Sequence, residues 1–176
     1  LAVFHQRYST NTLPTWELAQ PFRFLSHNGE INTLKGNLAW TRAREPQLYL
    51  EVSEGENLKL DNICQKGGSD SASLDNVLEM LVQGGRSIPH SVSMLVPEAW
   101  ENIPNISPSL KAFYQYNACI TEPWDGPAAL VFSDGSFVGA ALDRNGLRPA
   151  RYKITDDGII VLGSEVGMVG LDESHI

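Results

Sequence analysis

The sequence predicts an α+β fold, with helices packed on one face of antiparallel sheet, and three observations carry that prediction. Leu74, Val77, Leu78, Leu81 and Val82 recur at the spacing of one helical face. The carboxyl half changes period, giving strand-like runs at 129–132, 137–142, 150–154 and 159–162. Asp134-Gly135, Asn145-Gly146 and Asp157-Gly158 separate those runs, and such dipeptides suit tight turns because Gly and Asn tolerate positive φ. Helices first and then a meander of strands argue for helices on a sheet face rather than a doubly wound parallel sheet.

Taken in order, residues 1–8 suit a strand, and 10–20, interrupted by Pro14 and rich in Thr and Asn, suit a loop. Residues 22–26 are a second strand candidate running into His27-Asn28-Gly29-Glu30. Ile31, Leu34 and Leu38 then give a helix-like spacing, which puts Asn28-Gly29 at a strand-to-helix turn. Gly67-Gly68-Ser69-Asp70-Ser71 precedes the apolar stripe from Leu74, with Asp70 or Ser71 as the expected N-cap and Gly84-Gly85 as the stop. Further helices are expected near Pro89 and, after Ser107, near Pro108, since proline suits the first helical position. Neither a repeat nor a linker divides the 176 residues, which read as one domain able to bury a core.

Composition narrows the function classes. Thirteen Lys and Arg stand against 21 Asp and Glu, for a formal charge of -8, and no basic stripe interleaved with aromatics is present to neutralise phosphates. Nucleic acid is therefore not expected as a partner. No apolar run approaches the roughly 18 residues of a membrane span. The only cysteines, Cys64 and Cys119, are far apart and lack CxxC spacing, so neither a zinc site nor a disulfide framework is indicated.

Three short elements could carry chemistry. A strand that ends in Arg7, beside Ser9 and Thr10, could present a guanidinium to a carboxylate through two parallel hydrogen bonds. Asn28 and Gly29 set a side-chain amide beside a glycine N–H, a pair suited to an oxyanion. Asp70, at a helix N-terminus, stays ionised and could hold an ammonium group. Each alone is more simply structural: a surface arginine, an Asn-Gly turn, a plain N-cap. Together they are the groups needed to hold an amino acid by both its charges while its side-chain amide is attacked.

Longer strings give these elements a family. His-Gln-Arg-Tyr-Ser-Thr-Asn-Thr at 5–12, Leu-Ala-Gln-Pro-Phe-Arg at 18–23, His-Asn-Gly-Glu-Ile-Asn-Thr at 27–33 and Gly-Ser-Asp-Ser at 68–71 run in order through the first half. Glu-Pro-Trp-Asp-Gly-Pro-Ala at 122–128 and Leu-Asp-Arg-Asn-Gly-Leu-Arg-Pro-Ala-Arg-Tyr at 142–152 follow. With them the chain resembles the glutamine amidotransferase domain of glutamate synthase large subunits, over nearly its whole length. The last two strings are specific to that family. The Arg, Asn-Gly and Ser-Asp-Ser elements occur more widely among amidotransferases with an N-terminal nucleophile.

The resemblance implies a partial four-layer αββα sandwich of the N-terminal nucleophile hydrolase type, with 1–176 as the carboxyl-terminal part of the type 2 domain, lacking its amino-terminal portion. It implies that Arg7 binds the α-carboxylate of glutamine, Asp70 its α-ammonium, and Asn28 with Gly29 the tetrahedral oxyanion, with Thr10 and His27 as neighbours of that pocket. In such enzymes an amino-terminal cysteine attacks the amide carbon and its own α-amine serves as the base. The family places that cysteine far upstream of the segment matching Leu1, so this stretch is expected to be an internal fragment without glutaminase turnover of its own. Cys64 and Cys119 read as buried or inert thiols, and no Gly-x-Cys-x-Gly elbow is present.

For the parent, the resemblance implies FMN, an iron–sulfur cluster and NADPH or ferredoxin as electron donor, none of them held by this chain. It implies L-glutamine and the rest of the large subunit as partners, and admits a small NADPH-oxidising subunit. A cytoplasmic location is expected, or a plastid for a photosynthetic source. The Asp143 to Pro149 string and the Trp124 to Pro127 string are expected to be structural, the former fixing a hairpin through arginine hydrogen bonds to backbone carbonyls. Two other readings compete: a fragment of another class II amidotransferase, against which the 122–128 and 142–152 strings argue, and a non-catalytic remnant that binds glutamine or packs on a partner.

Overall fold

The computed structural model describes residues 1–7 and 12–176. Mixed helix and antiparallel sheet are present as expected. In chain order the strands and helices are β1 Leu25–Gly29, α1 Leu34–Arg44, β2 Tyr49–Ser53, β3 Glu56–Lys59, α2 Asp70–Gln83, α3 Ile88–Leu95, α4 Pro108–Ala118, β4 Ala128–Ser133, β5 Val138–Leu142, β6 Arg151–Ile154 and β7 Ile160–Gly163. The central sheet has the order β1-β4-β5, all antiparallel, and β2-β3 and β6-β7 form separate hairpins.

Registers fix which side chains share a face. Leu25 pairs with Phe132, His27 with Leu130 and Gly29 with Ala128. Because side chains alternate across a strand, these residues face one way and Ser26, Asn28, Ala129 and Val131 the other. Leu25, Ala128, Leu130 and Phe132 are all buried and join Leu74, Val77, Leu78 and Leu81 of α2 and Ile88, Val92 and Leu95 of α3 in one core. The stripe read from the sequence is thus the stripe that meets the sheet. Trp124, 2 % exposed, closes the core's end and donates its backbone N–H to the Leu95 carbonyl at 2.7 Å.

Helix α2 is capped by Ser69, not by Asp70 or Ser71. The Ser69 hydroxyl accepts the Ala72 N–H at 3.1 Å, and Gly84 ends the helix as expected. With Ser69 taking the cap, the Asp70 carboxylate is free to accept the Ile31 N–H at 2.8 Å. One turn on, Asp75 accepts the N–H groups of Leu25 at 2.9 Å, Phe24 at 3.0 Å and Arg23 at 3.3 Å. Burial drives the Asp75 carboxyl pKa up against the pull of those three donors. Two carboxylates on α2 therefore hold β1 and the turn beyond it.

Three further expectations need correction, and one hairpin was not expected. Residues 1–7 form no strand; residues 2–7 lie along a cavity instead of joining the sheet edge. The 22–26 strand is displaced to Leu25–Gly29, so Asn28 and Gly29 end a strand rather than form the turn to a helix, which begins at Leu34. The β2-β3 hairpin has no counterpart in the sequence reading. Finally, the four carboxyl-half strands are two hairpins, not one meander, because β5 and β6 do not pair and β4 takes β1 as its second neighbour.

Asp143 is the physical reason for that break. Its carboxylate accepts N–H groups from Ala128 at 2.8 Å, Asn145 at 3.1 Å, Leu147 at 2.9 Å and Arg148 at 2.9 Å. The connection is thereby wound around one side chain, and Pro149 has no N–H to offer a ladder. Hydrogen bonds here run from backbone N–H to an aspartate, not from arginines to carbonyls. Arg144 instead grips both carboxylate oxygens of Glu101 at 2.8 and 2.9 Å, and Arg148 meets Glu165 at 2.9 Å.

Burial pushes the Asp143 carboxyl up, but the four donors together outweigh it and hold its pKa below the ordinary aspartate value. A depressed native pKa means that the stabilisation is complete above the unfolded pKa and is lost as pH falls through the folded one. Asp143→Asn should cost about 2 kcal/mol at pH 7, from hydrogen bonds to a charged acceptor. It should also flatten the loss of stability below the ordinary aspartate pKa, followed by urea titrations of Trp fluorescence across pH. An unchanged midpoint at pH 7 would count against the role given to this carboxylate.

Candidate active site

A cavity of about 530 Å³ opens on the sheet face opposite the helices. Ser26, Asn28, Ala129 and Val131 form its floor, residues 2–7 one wall, and Arg148, Ala150 and 162–165 another. Its size falls within the range of about 300 to 1,000 Å³ common for small-molecule pockets.

Asn28 and Gly29 stand at the end of β1 because the backbone there is pressed against the loop before β4. Glu30 N–H donates to the Pro127 carbonyl at 2.9 Å and Asn32 N–H to the Asp125 carbonyl at 2.7 Å. A Cβ on Gly29, at φ +149°, would come within 1.8 Å of the Pro127 oxygen, and one on Gly126 within 2.0 Å of the Glu30 oxygen. Only glycine fits either position.

The strand's edge also points the right way. The N–H groups of Leu25 and His27 leave β1 on the side away from β4, to Asp75 at 2.9 Å and to the Gln20 side chain at 2.6 Å. By the alternation of an antiparallel strand, the Gly29 N–H leaves on that same outer side. Asn28 carries its amide into the cavity, where Nδ2 donates to Ser164 Oγ at 2.7 Å.

Arg7 lines the same cavity, so the structure brings Arg7, His27, Asn28 and Gly29 together. Asp70 does not line it. Its carboxylate lies one step behind, bonded to the N–H of Ile31, which stands between the cavity residues Glu30 and Asn32. Thr10 lies outside the described residues.

His27 is a structural neighbour rather than an exposed base. Its ring is 1 % exposed, with Nδ1 at 2.7 Å from Ser71 Oγ, whose hydroxyl in turn donates to Asp70 at 3.4 Å. Burial, opposed by the nearby Asp70 carboxylate, lowers the His27 pKa below its ordinary value. The ring is therefore neutral at pH 7.

Neither cysteine serves the cavity. Cys64 is buried, and burial with the nearby Glu45 raises its thiol pKa to about 11, far from a reactive thiolate. Cys119 is exposed rather than buried and sits at the end of α4, its thiol donating to the Gln115 carbonyl at 3.3 Å. Among the described residues no group of three His, Cys, Asp or Glu could hold a metal ion, and no helix is long and apolar enough to cross a membrane.

Sequence reasoning passed over Gln20, Ser164 and Arg148, all of which line the cavity. Gln20 braces the His27 backbone with both ends of its amide, at 2.6 and 3.0 Å. Gln20 and Arg148 stood within strings already singled out, though without a role; Ser164, 136 residues from Asn28, gave no local signal.

Comparison with known proteins places this chain in a family. The chain is 50% identical over 177 residues to the ferredoxin-dependent glutamate synthase of Antithamnion sp., covering 99% of this chain and 12% of that protein. It is 51% identical over 176 residues to the glutamate synthase [NADPH] large chain of Bacillus subtilis, again 99% of this chain and 12% of the relative. With the glutamate synthase [NADH] of Saccharomyces cerevisiae the identity is 52% over 177 residues, 100% of this chain and 8% of the relative. The chain thus spans about a tenth of the length of these relatives. The family model for class-II glutamine amidotransferases matches residues 1–176, end to end, and the chain belongs to that family.

Proposed function

We propose that this chain is the glutamine-binding part of the glutaminase domain of a glutamate synthase, which hydrolyses L-glutamine to glutamate and ammonia for reductive transfer to 2-oxoglutarate. The observation that carries this reading is the convergence of Arg7, Asn28 and Gly29 on one cavity, with the Asp70 carboxylate directly behind it. Arg7 holds the α-carboxylate of glutamine, Asp70 the α-ammonium, and the Asn28 amide with the Gly29 N–H the oxyanion that forms when the side-chain amide is attacked. His27 borders the pocket.

The nucleophile is a cysteine outside this stretch, its own α-amine serving as base, since Cys64 is inert and Cys119 sits at the far end of α4. Attack forms a thioester and releases ammonia; water then releases glutamate. His27, buried and neutral, stays out of the proton transfers.

A four-layer αββα sandwich is the fold this reading requires, and an open apolar face supports it. On the sheet face away from the helices, Val138 and Leu142 are 50% and 44% exposed. Tyr152, Ile154, Ile160 and Leu162 share one face of the β6-β7 hairpin, and all four are exposed. A second sheet from the rest of the domain would cover them. FMN, an iron–sulfur cluster and the electron donor belong to other parts of the parent; the two cysteines here provide no cluster ligand set. The relatives named above are designated by ferredoxin, NADPH and NADH, so this stretch does not choose the donor.

Two experiments on the full-length enzyme test the assignment. Arg7→Ala or Asp70→Asn should raise the KM for glutamine about 30-fold or more, as expected for a lost charge-assisted hydrogen bond of about 2 kcal/mol. Ammonia-dependent glutamate synthesis should be unchanged, and an equal fall in both activities would mean a folding defect instead. Asn28→Ala should lower glutaminase kcat by about 100- to 1000-fold with little change in KM. A change confined to KM would remove Asn28 from the oxyanion role.

A further inference from the structure

We propose that Ser164 is a positioning residue that aims the Asn28 amide at the oxyanion, an inference that rests on the reading of Asn28 given above. Asn28 Nδ2 donates to Ser164 Oγ at 2.7 Å, and both residues line the cavity. A side-chain amide carries two N–H donors in one plane. Committing one of them to a fixed acceptor sets the plane, and so fixes the direction of the other. Left alone, that amide turns about a soft terminal torsion with broad wells, and its second donor points nowhere in particular. Oxyanion stabilisation depends on donors already aimed where charge develops, so the restraint acts on the chemical step rather than on glutamine binding.

The position of Ser164 is itself held from two sides. It follows β7 directly, and its neighbour Glu165 accepts from Arg148 at 2.9 Å. Arg148 belongs to the connection that Asp143 winds through its four N–H bonds, one of them from Arg148 itself. The hydroxyl is therefore tied to the loop that also holds the Ala128 N–H, beside the partner strand of Asn28. Contacts that hold a group in its productive geometry bear on the rate, since a misplacement of about 1 Å can cost about 100-fold.

The test is a mutant cycle in the full-length enzyme, reading glutaminase kcat and KM beside ammonia-dependent synthesis. Ser164→Ala should lower kcat about tenfold with the KM for glutamine within about twofold, and Ser164→Thr, which keeps the hydroxyl, should recover most of it. In an Asn28→Ala background, Ser164→Ala should add no further loss, because its effect runs through the amide already removed. A fully active Ser164→Ala beside a slow Asn28→Ala overturns the role of Ser164 alone. So does an equal loss from Ser164→Ala in both backgrounds, or a parallel fall in ammonia-dependent synthesis. An Asn28→Ala enzyme with normal turnover removes the oxyanion reading, and this inference with it.

Discussion

Two carboxylates on one helix decide where the site stands. Asp75 takes the N–H groups of Arg23, Phe24 and Leu25 as the chain enters β1, and Asp70 takes that of Ile31 as it leaves. Between those anchors lie His27, Asn28 and Gly29, with only a few residues of slack. The strand's edge has few backbone partners there, so these bonds and the Gln20 brace replace a neighbouring strand. Leaving such donors unmet in a buried setting would cost about 1 to 3 kcal/mol each. The apolar stripe of α2 supplies burial, and the carboxylates supply register.

The recognition role proposed for Asp70 draws on the same helix end. Asp70 already satisfies a backbone donor and shares Ser71 with the buried His27, so its carboxylate is held in place before any ligand arrives. A group restrained in this way loses little side-chain freedom on binding. Neutrality of His27 also bears on the proposed ammonium site, because a cationic ring in that position would compete for Asp70. Burial lowers the ring's pKa despite the opposing pull of the Asp70 carboxylate.

Asp143 plays the corresponding part on the opposite wall. By gathering four N–H groups it turns the stretch between β5 and β6 away from sheet pairing and sets Arg148 and Ala150 along the cavity. The hairpin of β6 and β7 then lies with Leu162 facing the cavity and the rest of its apolar face open. One buried carboxylate thus links the sheet, the loop and the hairpin, and the acidic composition hides three such residues with distinct structural duties.

The sequence by itself determined the helices and strands whose periodicity is local: the α2 stripe, the starts of α3 and α4 near Pro89 and Pro108, and the four carboxyl-half strands with their Asp-Gly turns, though not their division into two sheets. It also singled out Arg7, Asn28 and Gly29, because motif strings survive as strings wherever the chain goes. Tertiary structure alone decided the rest. Residues 1–7, expected to run as a strand, join no sheet, because strand character needs a neighbour to pair with and not only a suitable pattern. Asp70 became an acceptor for the Ile31 N–H rather than a cap because Ser69 was better placed for the Ala72 N–H. Ser164 and Gln20 became part of the cavity through contacts 136 and 7 residues away, which no local pattern records. Spacing along the chain encodes elements, whereas a convergent site is made by the distances that folding removes.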